Sequence, residues 1–277
     1  MRFEKWQALG NDYVILERQA LPFELTPKRV RRICAAHFGA DSDGVLLLSP
    51  SEDAAHVATL EIFNPDGSEA ALSGNGARQA ALYLRHSGWT DADEFSILTA
   101  AGVVSPTITG PGAATMDIGQ ASTSSEDFPS GEADGRGKLT AGGREWEFQH
   151  VAVGNPQCAI EVSSGLEELE LDLIGPQIEN HALFPNRTNV SFWSVEGSRV
   201  RARIFERGVG QTLSSGTGAA GAAVAAHLRG AAGPYAVELD GGELGVTIGP
   251  GLQLQIAGHA EPVYSGEFAP EFVRTLE

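Results

Sequence analysis

The sequence predicts an α+β protein of two pseudo-symmetric halves, each a mixed or antiparallel sheet wrapped around one central helix. Three observations predict it. First, one stretch occurs twice. Residues 61–78 and 203–220 align without a gap at an offset of 142: Ile62 with Ile204, Phe63 with Phe205, Ser73 with Ser215, Gly74 with Gly216, Gly76 with Gly218 and Ala77 with Ala219. Both copies run from a strand-like segment through a polar turn into Ser-Gly-x-Gly-Ala, and an Ala-rich helix-forming segment follows each. A repeat whose period is about half the chain is the mark of two similar halves. Second, short β-like runs bounded by turn residues dominate both halves. Third, Ala219-Ala220-Gly221-Ala222-Ala223-Val224-Ala225-Ala226 carries only small apolar side chains. A helix that is apolar all round is enclosed on every side.

The elements follow in order. Phe3-Glu4-Lys5-Trp6 and Tyr13-Val14-Ile15-Leu16-Glu17 read as strands separated by the turn Leu9-Gly10-Asn11-Asp12. Residues 27–37 read as a helix with Pro27 in its first turn. A polar loop, 38–44, leads to the apolar run 45–48. The strand 58–63 enters the turn Asn64-Pro65-Asp66-Gly67. After the first Ser-Gly-x-Gly loop, a helix is expected from Ala77 to about His86, ending at Gly88. Two β-like stretches, 94–99 and 102–108, close the half.

Residues 119–143 are rich in Gly, Ser, Glu and Asp and read as a linker or exposed hairpin, the least ordered part of the chain. The second half then repeats the first. Residues 154–161 echo 10–17 at an offset of 144, with Asn155 matching Asn11. Residues 186–190 precede a β-like run, a helix is expected over 219–228, and strands over 236–239, 244–248 and 252–256. The end of the chain is expected to return to the first half. The predicted division is residues 1–118 plus about 264–277 against 119–263.

A net charge of −17 with no Lys/Arg cluster argues against nucleic acid and anionic membranes as partners. Cys34 and Cys158 belong to no metal-ligand spacing, so no metal site is expected. Two cysteines build no disulfide framework and fit a reducing compartment, the cytoplasm. The N-terminal residues lack an apolar signal core, and no run approaches the length of a membrane span.

Each Ser-Gly-x-Gly loop leads into a helix N-terminus, where free N–H groups and the positive dipole end attract anions. Two such ends would suit one small carboxylate. Taken singly, Ser73 and Ser215 are equally well explained as helix N-caps; their matched placement in two halves points to function. Asn11 pairs with Asn155 across the repeat, and Asn64 with Glu206, while Asn189 and Arg207 stand only in the second half. Asn offers donors and an acceptor without charge. Glu206 and Arg207 suit an ammonium and a carboxylate, or form an ordinary surface ion pair. The seven histidines share no motif, and none is a catalytic candidate.

These residues resemble diaminopimelate epimerase. The matching segments are Gly10-Asn11-Asp12-Tyr13, Asn64-Pro65-Asp66-Gly67-Ser68-Glu69, Gly154-Asn155-Pro156-Gln157, Asn189-Val190 and Glu206-Arg207-Gly208-Val209-Gly210. The resemblance covers the whole chain in order. It implies a cleft between two domains, a homodimer, no cofactor, and inversion at an α-carbon. It implies that Asn11, Asn64, Asn155, Asn189, Glu206 and Arg207 hold the substrate, and that loop amides of Gly74, Asn75, Gly216 and Thr217 hold its α-carboxylate. The expected reaction interconverts LL- and meso-diaminopimelate, a step towards lysine and the cell wall, with a small amino acid as substrate.

Three positions depart from the family. Ser73 and Ser215 stand where the family has its two catalytic cysteines, and Gln157 stands where its mid-chain motif has His. A thiol titrates near 8.5 and a helix N-terminus lowers it further. A serine hydroxyl is far weaker and needs a neighbouring base; the dipole contributes only about 0.3–2 kcal/mol. Glu206 is the nearest such base in the sequence, so Ser73, Ser215 and Glu206 are the expected catalytic set. The residues leave four readings open: an epimerase in which the serines relay protons; a related isomerase, racemase or dehydratase acting on another amino or hydroxy acid; an amino-acid binding homologue without turnover; or an engineered Cys-to-Ser pair, which the change at Gln157 disfavours.

Overall fold

A computed structural model describes residues 1–277. Its elements in chain order are β1 (Arg2–Ala8), β2 (Asn11–Glu17), α1 (Pro27–Cys34), β3 (Val45–Pro50), β4 (Ala58–Phe63), β5 (Glu69–Ala70), α2 (Gly74–His86), β6 (Ile97–Thr99), β7 (Gly102–Val104), β8 (Pro106–Gly110) and β9 (Ala113–Gln120). They continue with β10 (Arg136–Ala141), β11 (Arg144–Ala152), β12 (Pro156–Glu161), α3 (Leu171–Glu179), β13 (Asn189–Glu196), β14 (Arg199–Glu206), β15 (Gly210–Thr212), α4 (Gly216–Leu228), β16 (Tyr235–Leu239), β17 (Gly242–Ile248), β18 (Gln253–His259), β19 (Glu261–Glu267) and α5 (Pro270–Leu276). Two compact units result: Met1–Met116 with Gly258–Glu277, and Asp117–Ala257. The return to the first unit begins at Gly258 rather than near 264.

The first unit carries one sheet in the order β19-β1-β2-β3-β4-β6-β7, with β5 on β4. The β2–β3 and β4–β6 pairs are parallel, and the remaining pairs antiparallel. Apolar side chains of β1–β4, among them Trp6, Ile15, Leu46, Leu60 and Ile62, pack on Ala80, Ala81 and Leu84 of α2. The opposite face of the same strands, with Val14, Leu16, Val45 and Leu47, is covered by Val30 and Ile33 of α1 and by Phe268 and Leu276 near the chain end. Both faces are buried, so β3 reads as a continuous apolar run rather than an alternating one.

The second unit repeats the pairing pattern. Its sheet runs β10-β11-β12-β13-β14-β16-β17-β18-β9, with β15 on β14. Here β12–β13 and β14–β16 are parallel, matching β2–β3 and β4–β6. Helix α4 is buried from Gly218 to Ala226 and packs on β11 to β14, β16 and β17. Its small side chains bring the sheet close: a Cβ at Gly221 would lie 3.0 Å from the Gln157 side chain.

Three expectations are corrected. Both central helices start three residues early, at Gly74 and Gly216 rather than Ala77 and Ala219, because each serine is itself the N-cap. Residues 119–143 are not a loose linker; of the two readings the hairpin holds, though it is not merely exposed. They contain β10, which pairs along its length with β11, and Phe128, whose ring packs edge-on to Phe148 and against Phe184 in the core. Helix α3 was not expected; it buries Leu171 and Ile178 and ends at the buried Glu179. No helix is long and apolar enough to cross a membrane.

Candidate active site

In the first unit, the turn after β4 is closed by its own side chains. The Asn64 N–H donates to the Ser68 carbonyl at 2.8 Å, and Asn64 Nδ2 to Ser68 Oγ at 2.9 Å. Gly67 sits at φ +87 with its α-carbon turned onto the Pro27 backbone, so a side chain there would collide. The chain then reaches Ser73, held extended at φ −133 and ψ 122. Ser73 Oγ accepts the Gly76 N–H at 3.1 Å and the Tyr13 hydroxyl at 3.3 Å. The N–H groups of Gly74 and Asn75 follow at the start of α2, at the positive end of its dipole.

Asn11, at the start of β2, donates from Nδ2 to Asp43 at 2.9 Å, and its carbonyl accepts from Gln79 of α2 at 2.9 Å. Beneath the loop lies Arg78, wholly buried. Its Nη2 donates to Asn75 Oδ1 at 2.7 Å and its Nε to the His259 carbonyl at 3.1 Å; Nη1 has no partner. Burial lowers the Arg78 pKa to about 10, still charged at neutral pH. Sequence reasoning missed Arg78 and Gln79, which lie in an otherwise helix-forming run without a motif of their own.

In the second unit, Ser215 Oγ accepts the Gly218 N–H at 3.3 Å and donates to Glu206 Oε2 at 3.0 Å. Burial raises the Glu206 pKa above the ordinary 4.5, against the pull of neighbouring hydroxyls. Glu206 is thereby a stronger base than a solvated carboxylate. The hydroxyl lies between the helix N-terminus and that carboxylate.

A second network lies at the first turn of α4. Gln157 is fully buried. Its Nε2 donates to Asn155 Oδ1 at 2.6 Å and to Thr217 Oγ1 at 3.2 Å, and Asn155 Nδ2 donates to the same oxygen at 3.3 Å. Asn189 bridges Pro156 and Arg207: its Nδ2 donates to the Pro156 carbonyl at 3.0 Å and its Oδ1 accepts the Arg207 N–H at 2.9 Å. The Arg207 side chain donates to the Asn186 carbonyl at 3.0 Å. Glu179 fixes the loop between β14 and β15 by accepting the Gly208 N–H at 2.8 Å and pairing with Arg187 at 2.9 Å. No sequence motif marked Glu179: it closes α3, which stands between β12 and β13 as α1 stands between β2 and β3, but shares no residue pattern with α1.

Of the sequence-predicted residues, Asn11, Asn64, Ser73, Gly74 and Asn75 therefore belong to the first unit, and Asn155, Asn189, Glu206, Arg207, Ser215, Gly216 and Thr217 to the second. Direct side-chain contacts join Ser215 with Glu206 and Asn155 with Thr217.

Comparison with known proteins first defines the fold. The chain superposes on a probable proline racemase from Agrobacterium radiobacter, solved with bound carbonate, with TM-score 0.67, 16% identity and coverage of 98% of this chain and 95% of that one. It matches a hydroxyproline epimerase from Agrobacterium vitis, solved with bound trans-4-hydroxy-L-proline, with TM-score 0.64, 17% identity and coverage of 96% and 91%. A Bacillus anthracis phenazine biosynthesis protein of the PhzF family shares the same fold with TM-score 0.67 and 16% identity over 97% and 99% of the two chains. At such identities the likeness is one of architecture alone.

Sequence narrows the class. The family model described as diaminopimelate epimerase matches residues 3–124 and 150–255. A diaminopimelate epimerase of Synechococcus sp. (strain JA-3-3Ab) is 40% identical over 97% of this chain and 98% of its own length. One of Laribacter hongkongensis is 36% identical over 96% and 98%. The chain belongs to the diaminopimelate epimerase family, and it is an isomerase.

Proposed function

We propose that the protein is a cytoplasmic epimerase that interconverts LL- and meso-diaminopimelate through Ser73 and Ser215, without a bound cofactor. The observation that carries the reading is the Ser215–Glu206 hydrogen bond at the capped N-terminus of α4. There a hydroxyl accepts the substrate's α-proton while giving its own to Glu206. The C–H bond breaks, the Oγ–H bond forms anew, and the carboxylate becomes a carboxylic acid. Ser73 returns a proton from the opposite face. The amides of Gly74, Asn75, Gly216 and Thr217 hold the α-carboxylate, where N–H groups and helix dipoles also stabilise the charge that develops on deprotonation. Asn11, Asn64, Asn155, Asn189, Glu206 and Arg207 hold the rest of the substrate.

The reading requires both hydroxyls to reach one α-carbon. Its test is α-proton exchange in heavy water. LL- or meso-diaminopimelate acquires solvent deuterium and changes configuration with the protein, and the variant carrying both Ser73→Ala and Ser215→Ala does neither. Absence of deuterium from both isomers with the unaltered protein overturns the reading. Exchange into a different amino or hydroxy acid, with none into diaminopimelate, makes the protein a related isomerase on that substrate.

A further inference from the structure

The Ser73 side lacks what the Ser215 side has. The hydrogen-bond partners of Ser73 include no carboxylate and no imidazole; they are the Gly76 N–H and the Tyr13 hydroxyl. Both donate to Ser73 Oγ. A hydroxyl has two acceptor positions and one hydrogen to give. With both acceptor positions filled, the hydrogen of Ser73 is the one it can deliver outward. An oxygen surrounded by donors is arranged for the alkoxide that such a delivery leaves, not for removing a proton.

The placement of Tyr13 is built. Its ring is 5% exposed on β2, against Gly44. A Cβ at position 44 would run into the Phe63 carbonyl and lie 2.7 Å from the Tyr13 ring, so only glycine leaves room for the ring at this depth. The phenol also supplies what a serine relay lacks. An aliphatic alcohol is a poor acid, whereas a phenol titrates near 10 and serves as a general acid or base in enzymes.

Resting on the epimerase reading above, we infer that Tyr13 is the proton source behind Ser73, a relay residue that acts through that serine without touching substrate. As the new C–H bond forms, the Ser73 O–H bond breaks. Ser73 Oγ takes the Tyr13 hydrogen, and the phenol is left as phenolate. At the other face the α-proton has gone to Ser215 and a proton from Ser215 to Glu206. One proton is gained at Glu206 and one lost at Tyr13 per inversion, and solvent restores both. The two relays are therefore of opposite polarity in the resting protein: Glu206 removes, Tyr13 supplies. The reverse reaction runs from the form with Tyr13 ionised and Glu206 protonated.

The test is Tyr13→Phe, which keeps the ring and removes only the hydroxyl. LL- and meso-diaminopimelate are each incubated in heavy water, and exchange with retention is separated from inversion. Inversion is expected to fall about 100-fold, within the range for loss of a positioned proton donor. Exchange with retention at the Ser215 face persists, and the dissociation constant for diaminopimelate is unchanged. A second arm places 3,5-difluorotyrosine, a stronger acid, at position 13. The alkaline limb of the inversion rate is expected to move to lower pH with it. Inversion unchanged in Tyr13→Phe, loss of exchange and inversion to the same extent, or an alkaline limb indifferent to fluorination each overturns the inference. No exchange by the unaltered protein overturns the epimerase reading instead, so the two failures are distinct.

Discussion

Ser73 and Ser215 cap their helices alike, accepting the N–H three residues on at 3.1 and 3.3 Å. What stands behind them differs. Ser215 donates to the Glu206 carboxylate; Ser73 accepts from the Tyr13 phenol. The helices differ too. At the place where α2 carries the buried Arg78, α4 carries Ala220, the matching residue at an offset of 142. The duplicated backbone thus supplies two equivalent helix ends, and the side chains give each serine different hydrogen-bond partners. Symmetry of fold does not impose symmetry of charge.

The largest effect is expected at the carboxylate. Glu206→Gln removes the base of the Ser215 relay and lowers both α-proton exchange and inversion about 10²–10⁴-fold, read from deuterium incorporation into diaminopimelate. Equal rates in the variant and the unaltered protein would erase the contrast between the two serines. Next comes restoration of a more acidic pair. Ser73→Cys with Ser215→Cys is expected to raise epimerisation by about tenfold or more, since a thiol near pKa 8.5 ionises without a strong base. A double variant that binds diaminopimelate and turns it over more slowly than the serine protein would show that the serines suit this pocket better.

Arg78→Ala makes α2 like α4 at this position. It leaves a cavity, frees the His259 carbonyl and Asn75 Oδ1, and is expected to cost about 2–4 kcal/mol in denaturant unfolding. A loss below the precision of the measurement would mean that the guanidinium is as costly to bury as its hydrogen bonds are favourable. The smallest effect is a pH-dependent one. The Glu206 pKa is raised in the folded protein, so the folded state holds its proton more tightly than the unfolded chain. Stability from this group falls as pH rises from about the ordinary 4.5 through the raised value. Glu206→Gln should therefore melt slightly higher than the unaltered protein at neutral pH, with the difference closing below that window. A lower melting temperature at neutral pH would show that the ionised carboxylate is stabilised by its hydroxyl neighbours more than burial penalises it.

Much of the fold was legible because the repeat carries its own register. Strand β4 was bounded correctly at Ala58 and Phe63, where alternation and the Asn-Pro-Asp-Gly turn agree. The starts of α2 and α4 were placed late because Gly74, Gly76, Gly216 and Gly218 have poor helix propensity, and capping overrides propensity in the first turn. For residues 119–143 composition left a linker and a hairpin open, and the segment forms a hairpin arm, β10 on β11, anchored in the core. Their polar residues face out, while Phe128, Leu139 and Ala141 are enough to anchor the segment in the core. Helix α3 carries Pro176 and Gly175, breakers that a tertiary contact overrides. In the candidate site, the polar set was named from matched motifs, but polarity was not. Which oxygen gives a hydrogen and which receives one depends on neighbours distant in sequence, such as Tyr13 and Ser73, sixty residues apart.

The last twenty residues described, Gly258–Glu277, close a unit whose other residues precede Asp117. A ribosome releases the uninterrupted 117–257 segment before it releases that closing piece. The later half in sequence is thus the earlier one able to finish folding, while the edge of β1 stays open until β19 arrives to pair with it. During synthesis, the interval in which that edge is exposed grows with the time taken to translate the whole of the second unit.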